Sequence, residues 1–198
     1  MSLAGGRLVV VRGAGDLATG CIVRLVRCGF RVVAFELPRP SAIRRTVSLA
    51  EAVWDGYATV EGVRGVLHDT VPATWEAGEV PVVVDPECRL LPPLAPLALV
   101  DAVLAKRNLG TRIGMAPVVV ALGPGFDAGR DVHAVVETNR GHDLGRVLLH
   151  GTAEPDTAVP GLVAGHDRDR VLRAPLDGPA APIRAIGDSV SAGDPLLS

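Results

Sequence analysis

The sequence predicts an α/β fold: an amino-terminal domain built on a parallel sheet, followed by a smaller β-rich domain. Three observations carry this. In RLVVVRGAGDLATGCIVRLVRCGFRVVAFE, Arg7 to Glu36, a glycine turn joins an apolar strand to an amphipathic helix and a second apolar strand. Further valine-rich runs follow at intervals. After residue 126, strand-like pieces separated by glycine and proline replace helical spacing, so the domains are placed at 1–126 and 127–198.

Val9 to Val11 form the short run of a strand buried on both faces, as a parallel sheet under helices requires. Leu17, Cys21, Leu25 and Cys28 recur at helical spacing, and Gly29 stands where a helix ends. Arg31 to Phe35 is the second strand. Ser41 to Val53 reads as helical after the proline punctuation, and Tyr57 to Leu67 alternates around Glu61-Gly62 as a hairpin. Val80–Val84, Leu97–Leu104 and Pro117–Leu122 are further buried strands, with the apolar, proline-rich LLPPLAPL as a loop. Beyond 126, DVHAVVET, GRVLLHG and DRVLRA are expected strands. In the tail, Gly187-Asp188 and Gly193-Asp194 set turns with Ile186 and Val190 pointing inward. This GDxVxxGD pattern resembles the turn of a lipoyl/biotinyl-like sandwich, here truncated, with no lysine nearby to acylate.

The 198 residues are 48% hydrophobic and 21% charged with a formal net charge of −2, enough apolar material for a core and no field to draw in nucleic acid or an anionic membrane. Three scattered cysteines, Cys21, Cys28 and Cys88, form no CxxC pair and no disulfide framework, which suits a reducing cytoplasm. Met1 to Ala4 lacks the basic and apolar regions of an export signal, and no run reaches the ~18 apolar residues of a membrane span.

Gly13-Ala-Gly15-Asp16-Leu17-Ala18 satisfies GxGxxG/A between strand and helix, the signature of a Rossmann-like turn. The first glycine permits the turn, the second admits a pyrophosphate, and Ala18 permits close helix packing. Free N–H groups and the helix dipole at that terminus favour an anion. Glu36 ends the second strand 23 positions after Gly13, where a carboxylate accepts from a ribose 2′-OH. Asp16 is an awkward neighbour for a pyrophosphate: either it points away or caps the helix, or the ligand is not a standard dinucleotide. The alternative is a turn that is structural only.

RGAGDLATG, ELPRPSAIRRTVSLAEAVWDG, VEGV, AKRNLGT and VVALGPGFDAGRDVHAVVETNRGHDLGRV resemble the accessory-protein family of selenium-dependent molybdenum hydroxylases, the YqeB family, over nearly the whole chain. The resemblance implies a bacterial maturation factor whose partner is a molybdenum hydroxylase, and it adds molybdopterin dinucleotide to NAD(P) as a diphosphate-bearing cofactor. Family chains continue past the GDxVxxGD tail, whereas this sequence stops at Ser198.

Arg44 and Arg45 follow the second strand and are shaped for phosphate or carboxylate, unless they are a solvated face; Arg39 would meet a 2′-phosphate. LGPGFDAGRD adds a second glycine loop, in which Gly123 and Gly125 bring amides to an anion or simply connect two domains. Asp131, His133, Glu137 and His142 invite a metal, but no HExxH or HxH is present; the same group offers His133 and Glu137 as proton-transfer residues. Cys88 is the thiol with an exposed loop position, where a sulfur relay would act. The function expected is an accessory protein holding a nucleotide or dinucleotide; the alternatives are an NAD-dependent oxidoreductase and a non-catalytic client-binding module.

Overall fold

A computed structural model describes residues 7–198; the start of the chain, on which the absence of an export signal is read, lies outside the described residues. Two compact units divide the chain between Asp156 and Thr157. Among the described residues no helix is long and apolar enough to cross a membrane.

The first unit is α/β. Its strands are β1 (Leu8–Arg12), β2 (Arg31–Glu36), β3 (Tyr57–Val60), β4 (Val63–His68), β5 (Glu79–Val84), β6 (Ala98–Asp101), β7 (Val118–Leu122), β8 (Ala134–Val136) and β9 (Val147–Leu148). They form one sheet in the order β3-β4-β5-β2-β1-β6-β7-β8-β9. From β4 to β8 every neighbouring pair is parallel, and only β3 and β9, at the two edges, run antiparallel. The valine runs make this possible, because Val10, Val11, Val32 and Val33 have no exposed surface and fill both faces. Each such burial stabilises the fold by roughly 1.5–3 kcal/mol.

Helix α1 (Asp16–Arg27) lays Ala18, Ile22 and Val23 on the face that carries Val9, Val11 and Val32. It ends as expected: Gly29 takes a left-handed φ of 82°, its amide reaches Val26 O, and the Phe30 amide reaches Leu25 O. The opposite face packs Val10, Val33, Leu99 and Val119 under Leu91 and Leu94 of the four-residue helix α3 (Leu91–Leu94). That helix stands where LLPPLAPL reads as a loop; its prolines sit in the first turn, where a missing N–H costs nothing.

The hairpin forms with Glu61 and Gly62 both at positive φ, the combination a two-residue turn needs. The helix expected over Ser41–Val53 is broken into 3-10 turns at Arg45–Val47 and Leu49–Glu51 and a short α2 (Ala52–Asp55). The cause is the Ala14 carbonyl, which accepts from Ser48 Oγ at 3.0 Å and the Ala50 amide at 2.8 Å and holds Ser48 extended. The strand read over Leu97–Leu104 stops at Asp101, and Leu104 turns to a φ of 57°.

The division between units falls 30 residues beyond the one read from the sequence (156 − 126). Residues 127–156 belong with the first unit because β8 pairs parallel with β7 and β9 closes the edge. In the second unit, 157–198, DRVLRA is not a strand; a 3-10 turn spans Arg168–Arg170, and isolated bridges join Val163 to His166 and Pro182 to Leu197. Both glycine-aspartate turns form, each aspartate accepting from the amide three residues before it, Asp188 from Ala185 and Asp194 from Ser191. Ile186 and Val190, expected inward, are 61% and 49% exposed, because no second layer of strands covers them among the described residues.

Candidate ligand site at the carboxyl edge of the sheet

Arg12, Asp101, Ala121 and Val135 stand level across β1, β6, β7 and β8, so the loops that follow them share one edge. Chain direction reverses there: β1 passes through α1 to β2 on one side, and β5 passes through α3 to β6 on the other. Such a switch point is where open parallel sheets bind ligands. Both glycine turns lie at this edge, with segment 102–112 between them.

That segment comes closest to the glycines. A Cβ on Gly13, whose φ is 97°, would lie 3.0 Å from Ala102 O; one on Gly125, with φ 108°, would lie 2.5 Å from Arg107 Cα. One on Gly123 would meet Thr138 Oγ1 at 2.6 Å. Three of the four glycines singled out in the two loops are therefore required by the chain's own packing.

Gly15 is different. Its φ of −61° and ψ of −177° suit any residue, and a Cβ there would meet nothing within 4 Å. Its amide and that of Asp16 have no acceptor among the described residues, as expected at a helix amino terminus. The preceding amides are used internally: Gly13 N donates to Phe35 O and Ala14 N to Glu36 Oε2, both at 2.7 Å. Ala18, next to Leu17 in the first turn of α1, is buried against the sheet, the packing role read for it.

Glu36 is buried and faces inward, its Oε1 accepting from Leu37 N at 2.7 Å. Burial pushes its carboxyl up, and the Leu37 and Ala14 amides, which favour the charged form, return part of that rise. The carboxylate ties the turn to β2. Asp16 Oδ1 accepts from Leu17 N, its other oxygen pairs with Arg44, and Arg45 pairs with Glu51.

His133 is exposed and mid-sheet: its amide bonds Val119 O, and its Nδ1 accepts from Val119 N at 3.0 Å, which leaves the proton on Nε2. In register it stands level with Val10, three steps before Gly13 and about 10 Å back from the edge. Glu137 is at the edge but engaged, Oε1 accepting from Thr138 N and Asn139 N and Oε2 from Glu154 N. Its desolvation acts upward, and the Glu154, Asn139 and Thr138 amides outweigh it, holding the carboxyl below the usual glutamate range. Asp131 is held low by Arg130 and by the Asp127 amide. Among the described residues no three His, Cys, Asp or Glu side chains gather as a metal would require.

A buried polar network at the edge involves residues that the sequence reading did not single out. Arg12, 7% exposed, donates to Asp101 Oδ2 at 3.2 Å, Thr111 Oγ1 at 2.9 Å, Leu109 O at 3.0 Å and Pro86 O at 2.7 Å. Thr111 Oγ1 donates to the same Asp101 oxygen at 2.5 Å. A charge closing each of two apolar runs, LVVVR and LALVD, is the signal for it. Cys88 lies beneath this network, buried rather than exposed, and its thiol is pushed up to about 11 by burial, with Arg12 acting against that and Asp85 and Asp101 adding to it.

A cavity of about 370 Å³ opens on the flank of α1. Asp16, Leu17, Gly20 and Val23 form one wall, Arg44, Thr46 and Val47 the rim, and Thr59 to Glu61 at the hairpin tip the other wall. The Asp16–Arg44 pair stands at the end nearest the Gly15 amide.

No family model and no solved structure matches the chain. A curated Escherichia coli (strain K12) protein, "Uncharacterized protein YqeB", is 52% identical over 194 residues, covering 96% of this chain. The chain spans 36% of that relative's length. Identity of this extent over nearly the whole chain supports its membership of the YqeB family.

Proposed function

We propose that the chain is the ligand-holding part of an accessory protein that serves maturation of a molybdenum hydroxylase, and that it binds a nucleotide-like diphosphate at the amino end of α1 in a Rossmann-like domain. The observation that carries the binding half is Gly15. Neither its backbone conformation nor any neighbour requires a glycine, yet it stands at the head of a twelve-residue helix with open amides. The maturation half rests on the family resemblance of the quoted motifs. The ligands that fit are those with a pyrophosphate: NAD(P), or a molybdopterin dinucleotide.

Binding without catalysis is the better reading of the site. A hydride-transferring enzyme needs a proton-handling group beside the nicotinamide, but His133 stands back from the edge and Glu137 is fixed by three amides. Glu36, turned inward, argues against the usual ribose contact and for a ligand seated further along α1.

The test is calorimetric titration of wild type and Gly15→Val with ADP, NAD and inorganic pyrophosphate. The variant keeps its thermal midpoint, since its Cβ has space, and loses about tenfold or more in affinity. Absence of binding to wild type sinks the ligand reading. Deleting the gene in its host leaves the hydroxylase polypeptide present and inactive; unchanged hydroxylase activity sinks the maturation reading.

A further inference from the structure

We propose that the cavity on the flank of α1 is the seat of the ligand's ring portion, a flat heterocycle with its sugar, and that the ligand runs from the Gly15 amide past Asp16 and Arg44 into it rather than toward Glu36. This rests on the diphosphate reading above and adds where the rest of the ligand goes.

The space is of the right size. At about 370 Å³ it lies at the lower end of the roughly 300–1,000 Å³ typical of small-molecule sites. Its chemistry is that of a ring site: Leu17, Val23, Val47 and Val60 supply apolar surface, Thr46 and Thr59 supply hydroxyls, and a guanidinium stands at the end nearest the diphosphate. Gly20 supplies the shape. It sits inside α1, where glycine costs about 1 kcal/mol against alanine, and a Cβ there would meet nothing within 4 Å. The protein's own packing gives no reason for that cost; a flat body lying against the helix does. The usual alternative direction is closed, because both Glu36 oxygens already accept backbone amides and the side chain is buried.

Gly20→Leu extends a side chain into the cavity, and Thr59→Trp fills it from the hairpin wall. Gly20→Ala adds one methyl and raises helix propensity. ADP and inorganic pyrophosphate are titrated against all three and wild type, with circular dichroism as the check on folding. Wild type binds ADP more tightly than pyrophosphate. Gly20→Leu and Thr59→Trp weaken ADP by about tenfold or more and leave pyrophosphate within twofold, while Gly20→Ala binds both as wild type does. ADP affinity unchanged in a folded filling variant overturns the proposal, and so does an equal loss for pyrophosphate, which would put the effect at the anion end. Pyrophosphate binding to wild type with no gain for ADP overturns the ring seat and leaves the diphosphate reading standing; no binding of either removes both.

Discussion

Asp16 holds the place an anion would take. Its carboxylate uses a first-turn amide, Leu17 N, and a guanidinium, Arg44, the same two kinds of donor that a phosphate seeks at a helix amino terminus. A diphosphate must therefore displace a carboxylate that is already satisfied. Asp16→Asn relieves that competition and keeps the size of the side chain. Pyrophosphate affinity rises roughly two- to fivefold, while the thermal midpoint falls slightly because α1 loses a favourable first-turn acid. Titration and melting of the same sample check both, and a fall in affinity would make Asp16 a ligand contact instead. Glu36 teaches the opposite lesson. Its distance from Gly13 in the sequence fits a ribose contact, but the same spacing lets it bond the Ala14 amide. Spacing alone does not distinguish a carboxylate that waits for a hydroxyl from one that binds its own backbone.

At the level of elements, Glu137 shows how short strands are kept in place. It follows β8 and gathers the amides of Thr138, Asn139 and Glu154, joining two stretches of chain that no ladder connects. Its folded pKa is depressed, so the stability it contributes is present above the unfolded value, roughly 4.3, and is lost as pH falls through the folded one. Glu137→Gln is accordingly less stable than wild type at pH 7, and the gap narrows below pH ~4; chemical denaturation across that range measures it. A gap that stayed constant would mean that the charge is immaterial. The elements also separate what was legible from what was not. The β1-α1-β2 unit could be read because valine runs, helical spacing and Gly29 are local signals. The break in the helix expected over 41–53 could not, because it is imposed by a carbonyl 34 positions away from Ser48. The early domain boundary failed for a similar reason: β8 is three residues long, and its place is fixed by pairing with β7 rather than by its composition.

Over the whole molecule, burial is unevenly shared. The first unit holds the paired apolar layers, whereas no described side chain of 157–198 is buried. The glycine-aspartate turns of that second unit were legible because each is closed by its own aspartate, while inward positions for Ile186 and Val190 required a layer that the described residues do not form. The cysteines report on the same contrast. Cys28 is exposed, Cys21 half-buried with its thiol raised by burial, and Cys88 buried. A thiol reagent at pH 8 labels Cys28 first, and Cys88 only as the first unit unfolds, so its labelling rate follows denaturant concentration. Rapid labelling of native Cys88 would reopen a sulfur-handling role for it.

The segment over the carboxyl edge meets Gly13 at Ala102 and Gly125 at Arg107, and Arg12 draws it down through Leu109 and Thr111. Two turns more than a hundred residues apart in sequence are thus clamped under one bar. A side chain added beneath either end would lever up the other, so damage at Gly125 is expected to register at the head of α1.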